Sequence, residues 1–550
     1  MTREDYADLL LPNVKHDYNY YEELYPERDL PEGAMVTRYA PSPTGFIHIG
    51  ALFSSFVNIK MAKQSGGVCI LRIEDTDQKR EVQDGVKQIT EDLAKFNIVF
   101  DEGVTKDGDK GSYGPYTQSE RKDIYQAYAK KLIIEDKAYP CFCTEEDNAK
   151  DREKQTLKKE RTGYYGYWAR CRRLTMEEVI EKVKNGEKYI IRLKSNGSFS
   201  RKFKFKDLIK GKSEMPENDE DLVIIKSDGL PTYHFAHAVD DHLMHTTHVI
   251  RGEEWYPSIP KHTQLFVMLG FKVPKYAHVS PLMKEEDGKR RKISKRKDPE
   301  AAISYYHEKG IPNEAVMLYL ETLANSNFEM WLEQNKYQNV DDFKLEFSKM
   351  STGGTMFDYD KLINISKNYI SRLKAEEVYD LALKYAIVYD KEFAKILEKH
   401  KDYSIAIFNI EREQKKPRKD IAYFSDVKNQ MFYMYDELFT GENYEWQNIT
   451  DKSEIEIILN TYFNECYDIT DDKDTWFNKM KDLALKLGYS SDIKSYKENP
   501  NDYKGSITDI SMVLRVALTS KSMTPDLYDI MRLLGIERMK KRVEMALQNQ

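Results

Sequence analysis

The chain has 550 residues, of which 40% are hydrophobic and 32% charged, and its formal net charge is −7. This length predicts three to five domains of roughly 100–200 residues each, and the composition is typical of a soluble globular protein. The five cysteines are too few and too unevenly spaced for a disulfide framework, which favours a reducing compartment. The N-terminus lacks an apolar secretory signal and no run of about 18 apolar residues predicts a membrane span, so we expect a cytoplasmic protein.

The N-terminal part of the chain begins irregularly and then shows alternating elements. Residues 1–34 are rich in Tyr, Asp and Glu without clear periodicity, so we expect an arm packed on the surface. An apolar, β-branched stretch at 34–40 predicts a buried strand, and the prolines and glycine of 41–45 end it in a turn. Apolar residues at helical spacing after residue 48 predict a helix that ends at glycines 66 and 67.

A second strand is predicted at 68–73 and is followed by another helix, which completes a βαβ unit and favours an α/β fold with a doubly wound parallel sheet. The pattern weakens between about 105 and 220. It then resumes with a strand at 221–225, a helix at 234–243, a strand at 248–251 and a helix at 258–269. This order predicts a sheet whose halves are separated by an insertion. Beyond about residue 300 the sequence is almost entirely helical in character.

Two short motifs suit phosphate binding. His48 and Gly50 stand where a strand gives way to a helix, whose unpaired N–H groups and positive dipole end form an anion site. The alternative is that His48 only caps the helix. Lys292, Lys295 and Arg296 lie in a polar loop and could stabilise a pyrophosphate leaving group; the alternative is a solvated basic loop. Together the motifs predict an enzyme that splits ATP between its α- and β-phosphates.

The acidic net charge does not exclude a nucleic-acid partner, because phosphate binding depends on local basic patches. Two such patches stand out, at 289–297 and at 415–419. The first contains the phosphate motif. The second is a candidate only for contact with an RNA backbone.

Residues 38–50 resemble the ATP-site signature of class I aminoacyl-tRNA synthetases in its glutamyl/glutaminyl form. The other matching blocks are 72–77, 228–234, 239–242, 249–255 and 292–296. The blocks are colinear over about 34–300. The resemblance implies a Rossmann-type catalytic sheet, an inserted acceptor-binding domain and an all-α anticodon-binding region.

The resemblance also implies approximate domain boundaries. These are an N-terminal arm at 1–34, the first catalytic half at 35–110, the inserted acceptor-stem domain at 111–220, the second catalytic half at 221–285, a stem-contact region with the basic loop at 286–370, and a helical anticodon-binding region at 371–550.

The reaction that the resemblance implies has two steps. A substrate carboxylate attacks the α-phosphate of ATP to give an acyl-adenylate and pyrophosphate, and the terminal ribose hydroxyl of a tRNA then takes the acyl group. Mg²⁺ would accompany ATP and offset phosphate charge. The implied catalytic residues are His48, Lys292 and Lys295. The implied ATP-binding residues are His48, Gly50, Glu254, Leu282, Met283, Lys292 and Lys295.

The amino-acid substrate is implied to be glutamate. Arg38 and Arg251 suit two carboxylates because arginine pairs with them bidentately, and Glu74 could take the ammonium group. Structural salt bridges are the alternative for each arginine. His237 stands where related enzymes often place an Asn. The implied glutamate-binding residues are Arg38, Ala40, Ser42, Glu74, Arg80, Tyr233, His237 and Arg251.

Three of the cysteines, with a nearby tyrosine, resemble the zinc knob of some bacterial glutamyl enzymes. Cys141, Cys143, Tyr167 and Cys171 would be the ligands of a structural Zn²⁺. Only three thiols are present, and Arg173 stands where some relatives have a histidine. Zinc and free buried thiols both remain open.

The helical C-terminal region separates the subfamilies, since glutaminyl enzymes end in β-barrels and bacterial glutamyl enzymes in helices. Residues 353–362 resemble the bacterial glutamyl connection. We therefore expect a bacterial-type glutamyl-tRNA synthetase with the substrates L-glutamate, ATP and tRNA(Glu), acting as a monomer. The alternatives are a glutamine–tRNA ligase, a tRNA-modifying paralogue, an inactive RNA-binding relative and a small-molecule adenylating enzyme.

Overall fold

The computed structural model describes residues 1–43, 47–77, 84–335 and 339–549. The chain divides into two compact units, the first comprising Met1–Tyr305 with Met317–Asp358 and the second Tyr306–Val316 with Tyr359–Gln550. Each unit has its own apolar core. Among the described residues, no helix combines the length and apolar character needed to cross a membrane.

The N-terminal arm contains two short helices, α1 (Arg3–Leu10) and α2 (Tyr18–Leu24). Thr2 and Asp5 form a capping box that starts α1. Tyr6 and Leu10 are buried in the main core of the first unit. The arm is therefore structured and joined to the core, which its Tyr-rich sequence did not reveal because helices of two turns show little periodicity.

The predicted βαβ unit is confirmed. Strands β1 (Val36–Tyr39), β2 (Val68–Leu71) and β3 (Glu102–Thr105) are parallel, and β4 (Gly108–Lys110) adds an antiparallel edge. Helices α3 (Ile49–Gln64) and α4 (Gly85–Lys95) connect the strands. A Cβ at Gly67 would collide with the Met35 carbonyl, so only glycine allows the chain to turn so closely from α3 into β2.

An insertion follows the first part of the sheet. It contains helices α5 (Lys122–Ile134), α6 (Glu145–Leu157) and α7 (Met176–Lys184), and strands β5 (Ala138–Cys141), β6 (Ile190–Leu193), β7 (Lys202–Asp207), β8 (Gly211–Pro216) and β9 (Val223–Ile225). Strands β5, β6 and β9 form one antiparallel sheet, and β7 with β8 forms a hairpin.

One sequence interpretation is wrong here. The strand predicted at 221–225 exists as β9, but it pairs antiparallel with β6 of the insertion, with Ile225 opposite Ile191. It does not belong to the second half of the parallel sheet. A short apolar run carries no signal for its pairing partner, which is why the sequence assigned it to the neighbouring element.

The second half of the parallel sheet consists of β10 (His248–Gly252) and β11 (Lys275–Val279), with helices α8 (Tyr233–Leu243) and α9 (Ile259–Leu269). Strand β10 lies beside β1. The Asn58 side chain of α3 donates a hydrogen bond of 3.1 Å to the Ile250 carbonyl of β10. The two halves are therefore joined, although more than 100 residues separate them in sequence.

A small sheet carries the second phosphate motif. Strands β12 (Leu282–Glu286) and β13 (Lys289–Lys292) form a hairpin, and β14 (Thr355–Met356) pairs with β12. The turn residues Asp287 and Gly288 both have positive φ, at 52° and 72°, and an Asp-Gly pair is a strong hairpin signal. The predicted loop thus begins as a strand. Helices α10 (Ile303–Lys309), α11 (Asn313–Ala324) and α12 (Phe328–Gln334) follow it.

The C-terminal region is helical, as predicted. Its helices are α13 (Tyr359–Arg372), α14 (Ala375–Tyr389), α15 (Lys391–Lys399), α16 (Lys401–Asn409), α17 (Val427–Met431), α18 (Lys452–Thr461), α19 (Lys473–Lys486), α20 (Ile493–Glu498), α21 (Ile507–Thr519) and α22 (Leu527–Gln548). Buried aliphatic and aromatic side chains from most of these helices share one core.

We expect Asn58→Ala to lower the free energy of unfolding by about 1–3 kcal/mol, because a buried hydrogen bond across the two half-sheets is lost. The measurement is the thermal unfolding midpoint by circular dichroism. Asn478→Ala, on the exposed face of α19, is the matched control and should leave the midpoint unchanged. Equal midpoints for the two variants would contradict a structural role for this bond.

Candidate active site

A cleft of about 640 Å³ lies at the carboxyl ends of the parallel strands, where open α/β sheets bind their ligands. Its wall brings together most of the predicted site residues, namely Arg38, Ala40, Ser42, His48, Gly50, Glu74, Tyr233, Arg251, Glu254, Leu282, Lys292 and Lys295. Met283 and His237 are not part of this wall. Arg80 lies outside the described residues, so its position is not assigned.

His48 is both the N-cap of α3 and a group exposed to the cleft. Its Nδ1 accepts a hydrogen bond of 3.0 Å from the Ala51 N–H. Partial enclosure by the cleft and the cations Lys295 and Lys292 lower its pKa to about 4, so the imidazole is neutral near pH 7. Because Nδ1 is the acceptor, the proton resides on Nε2, which can donate to an anionic oxygen.

Gly50 leaves room for this imidazole. A Cβ at position 50 would lie 3.1 Å from both Cε1 and Nδ1 of His48. Such a contact is tighter than ordinary carbon packing, and it would push the ring out of its capping position. The capping interpretation is therefore confirmed, while phosphate binding by His48, which also lines the cleft, stays a prediction.

The basic turn is held by a buried carboxylate. Asp298 accepts hydrogen bonds from the Arg291 guanidinium at 2.6 and 2.7 Å, and from the Ser294 N–H at 2.9 Å. The bonds from Arg291 hold the pKa of Asp298 well below its usual range. This clamp fixes the turn that carries Lys295, while Lys292 ends strand β13.

Both lysines of this motif line the same cleft as His48. Lys292 Nζ lies 4.0 Å from the Glu254 carboxylate, and both side chains are largely exposed. Burial lowers the pKa of Lys295. A cation that loses hydration on the cleft wall would be stabilised by a bound anion, which suits the leaving group of a phosphoryl-type displacement.

A buried ionic network lies behind the part of the cleft wall that Arg38 and Glu74 form. Asp241 of α8 lies 3.2 Å from Arg38 Nε and 2.7 Å from Arg72 Nη1. Arg72 also donates to Glu74 at 3.1 Å. Burial alone would raise the pKa of Asp241, but Arg38 and Arg72 hold it well below its usual range. Burial raises the pKa of Glu74 despite Arg72 and Arg38, so an incoming cation would stabilise its charged form.

Arg251 differs from Arg38 in its surroundings. It is only 5% exposed, and among the described residues no carboxylate lies within 4.0 Å of its guanidinium. Its neighbours are neutral, since it donates to His278 at 3.0 Å, to the Trp255 carbonyl at 3.3 Å and to the Tyr233 hydroxyl at 3.5 Å. Arg251 is therefore a buried cation whose charge is uncompensated at contact distance, which suits an anionic ligand.

His237 lies behind the cleft wall and is fully buried. Its Nδ1 is 2.8 Å from Asp241, and its Nε2 is 3.1 Å from the Tyr276 hydroxyl. Burial lowers its pKa to about 3, so the ring is neutral. His237 stacks beneath Tyr233, with the ring centroids 6.0 Å apart. It therefore supports a wall residue and does not itself form the wall.

Several residues that shape the site were not predicted from the sequence. Arg72 and Asp241 lie in the matching blocks, but the pairing of side chains 169 residues apart is invisible in one sequence. Asp298 was missed as well, although an acidic residue directly after four basic or polar ones is a signal for a local clamp. Trp255, which packs on Tyr233 at 4.2 Å, belongs to a block that resembled the family without an assigned role.

The three cysteines of the insertion lie together. The Sγ atoms of Cys141, Cys143 and Cys171 are within 4.8 Å of one another. The prediction of Tyr167 as the ligand beside these cysteines is wrong, because its side chain is 78% exposed. The tyrosine beside them is Tyr164, whose hydroxyl lies 3.3 Å from Cys141 Sγ and 3.4 Å from Cys143 Sγ. Tyr164 points inward and is buried, and sequence spacing could not distinguish the neighbouring tyrosines.

Comparison with known proteins is consistent across the whole chain. The family model described as tRNA synthetases class I (E and Q), catalytic domain, matches residues 34–363, and an anticodon binding domain model matches 497–547. The glutamate–tRNA ligase of Clostridium perfringens is 47% identical over 99% of this chain and 100% of that protein. That of Acetivibrio thermocellus is 46% identical over 98% of this chain and 99% of that protein.

A solved structure shows the same fold. The crystal structure of a glutamate tRNA ligase from Elizabethkingia meningosepticum in complex with its amino acid superposes with a TM-score of 0.74 at 26% identity, covering 94% of this chain and 99% of that one. The matched catalytic region contains all the residues that line the cleft, including His48, Lys292 and Lys295. The chain therefore belongs to the class I tRNA synthetases, in the family of the glutamate–tRNA ligases.

Proposed function

We propose that the chain joins L-glutamate to the 3′ end of tRNA(Glu) through a glutamyl-adenylate, at the expense of ATP. The single observation that carries the choice of glutamate is Arg251, a buried cation on the cleft wall without a carboxylate partner among the described residues. A substrate with a side-chain carboxylate would supply the missing charge, whereas glutamine would bring only a neutral amide. The names of the relatives agree with this choice.

Glutamate would lie across the cleft between Arg251 and the buried network. Its side-chain carboxylate would pair with Arg251, and its ammonium group would meet Glu74. Arg38 is already paired with Asp241, so we infer that it positions that network and contributes only its remaining donors to the substrate. Ala40, Ser42 and, by resemblance, Arg80 complete the proposed glutamate site.

ATP would occupy the part of the cleft between the two phosphate motifs. The α-carboxylate oxygen of glutamate forms a bond to the α-phosphorus, and the bond to the pyrophosphate breaks. His48 Nε2–H and the cations Lys292 and Lys295 would stabilise the charge on the phosphates. Leu282 is proposed to flank the adenine. Mg²⁺, when bound with ATP, supplies further charge neutralisation.

The second step transfers the glutamyl group to tRNA. The terminal ribose hydroxyl attacks the acyl carbon, and AMP leaves. We propose that the insertion, predicted at 111–220 and also containing β9, binds the acceptor end and that the helical region at 371–550 contacts the anticodon. The anticodon binding domain match at 497–547 supports the latter assignment. The basic segment at 415–419 is a candidate for backbone contact.

We further propose that a structural zinc ion is held in the insertion. Thiolates suit Zn²⁺, and three of them within 4.8 Å of one another fit a tetrahedral site. Tyr164 is the candidate fourth ligand, because its hydroxyl lies beside Cys141 and Cys143. A cytoplasmic location and a monomeric state remain predictions of the family resemblance.

The proposed function is tested by charging. The purified chain is incubated with ATP, tRNA and either glutamate or glutamine, and acylated tRNA is measured. We expect charging with glutamate and at least about a hundredfold weaker charging with glutamine, because the neutral amide leaves the charge of Arg251 unpaired. Sites in which an analogue leaves buried polar groups unpaired can reject that analogue by a factor of up to about 10⁴–10⁵. Charging with glutamine alone would overturn the substrate. Charging with neither amino acid would favour an RNA-binding relative without catalytic activity.

Lys295→Ala should lower the turnover number at least about tenfold, because a charge that stabilises the phosphates is removed. Lys297→Ala is the matched control, since this exposed lysine lies in the same turn and 3.6 Å from Glu286, away from the cleft wall. Steady-state charging kinetics at saturating ATP provide the measurement. Equal turnover for the two variants would remove Lys295 from its assigned role.

Zinc is tested by elemental analysis of protein purified without chelators. We expect about one zinc per chain, and less than about 0.2 per chain would contradict the site. Tyr164→Phe should weaken zinc retention against a chelator, because a ligand oxygen is lost. Tyr167→Phe, at the exposed neighbouring position, should retain zinc as the unaltered chain does.

A further inference from the structure

Arg251 is held by two histidines that come from elements distant in sequence. His278 of β11 accepts from Arg251 Nε at 3.0 Å, and His262 of α9 lies 3.1 Å from Arg251 Nη1. Both histidines are fully buried. We call this pair the imidazole cradle. A guanidinium carries only donors, so each cradle histidine must present a lone pair to it.

The outer partner of each cradle histidine fixes its tautomer. His278 Nδ1 lies 2.7 Å from the buried carboxylate of Asp207, so Nδ1 carries the proton and Nε2 is the acceptor. His262 Nδ1 faces Arg251, so its proton is on Nε2, which donates to His234 Nδ1 at 2.8 Å. Burial lowers the pKa of both His262 and His278. The cradle is therefore neutral.

Because the cradle is neutral, it does not compensate the positive charge of Arg251. Buried arginines are ordinarily paired with carboxylates, as Arg38 is with Asp241. Arg251 instead has its Nε and Nη1 positions occupied by imidazoles, and its Cζ lies 5.0 Å from the Tyr276 ring centroid. The guanidinium is thus fixed in orientation while its positive charge stays available. Asp207, the nearby carboxylate, is separated from it by the whole His278 ring.

We propose that His262 and His278 are positioning residues that set the specificity for an acidic substrate, because they orient Arg251 without neutralising it. This inference rests on the proposed function. It goes further by assigning the discrimination between a carboxylate and an amide to two side chains behind the cleft wall. A carboxylate at either position would compensate Arg251 internally and weaken its attraction for the substrate carboxylate.

The test compares His262→Asp with His262→Asn, two side chains of nearly equal shape. Asn keeps a neutral acceptor near Arg251 Nη1, whereas Asp places a negative charge there. We expect the KM for glutamate to rise at least about tenfold in the Asp variant and to change less than about threefold in the Asn variant. The KM for ATP should be unchanged in both, because the phosphate motifs are not altered. Charging kinetics with variable glutamate give these values.

A purely structural role predicts another pattern. If Asp and Asn raise the KM for glutamate equally, or if neither does, the inference is overturned. Should His262→Asp fail to fold by circular dichroism, His278→Leu and His278→Gln replace the pair. Leu removes the acceptor for Arg251 Nε and should raise the KM at least about tenfold, and Gln should restore most of it. Equal KM values for Leu and Gln would overturn the inference.

Failure of the proposed function is seen separately, in the unaltered chain. If that chain charges tRNA with glutamine and not with glutamate, the proposed function falls before any variant is made. The cradle inference then falls with it, since no substrate carboxylate would meet Arg251. If the unaltered chain charges glutamate but the variants behave alike, only the cradle inference is refuted.

Discussion

The architecture of the catalytic unit depends on one buried carboxylate, Asp241. It lies on α8, a helix that packs with the second half of the sheet, and it contacts Arg38 from β1 and Arg72, which directly follows β2. Burying three charges is costly unless each is paired, and removing one partner of such a set typically costs about 3–5 kcal/mol. The network therefore ties both halves of the sheet together at the floor of the cleft. Glu74 is positioned by the same Arg72.

The two walls of the cleft then use charge in opposite ways. On the network side, positive charge is largely matched by carboxylates before any ligand arrives. Around Arg251, the positive charge faces neutral groups, and Lys292 of the basic turn is largely exposed, with the Glu254 carboxylate 4.0 Å from its Nζ. An amino acid with an extra carboxylate and a nucleotide triphosphate both bring negative charge to the second kind of surface. Complementarity of this sort selects ligands more by their charge than by their shape.

Much of this organisation could be predicted from the sequence, because it follows from local patterns. The βαβ order, the His48 motif and the helical tail each depend on residues close together in the chain. What could not be predicted depends on pairs of residues far apart in sequence, such as Asp241 with Arg72, or on the direction in which a side chain points. An example of the latter is that Tyr164, and not Tyr167, lies beside the cysteine thiols. The pairing of β9 with β6 was missed for the same reason. The site assignments themselves remain predictions until the variants are measured.

The N-terminal arm connects two helices of the catalytic unit, which its sequence did not indicate. Glu22 of α2 accepts from the Tyr128 hydroxyl of α5 and lies 3.0 Å from His242 of α8. The arm thus bridges the helix that opens the insertion and the helix that carries Asp241. Cutting it away would uncover the apolar face of α5 on which Tyr6 and Leu10 pack. During synthesis, the apolar side chains of the arm are therefore not shielded from water until α5, more than 100 residues later, has been made, which leaves them open to chaperones.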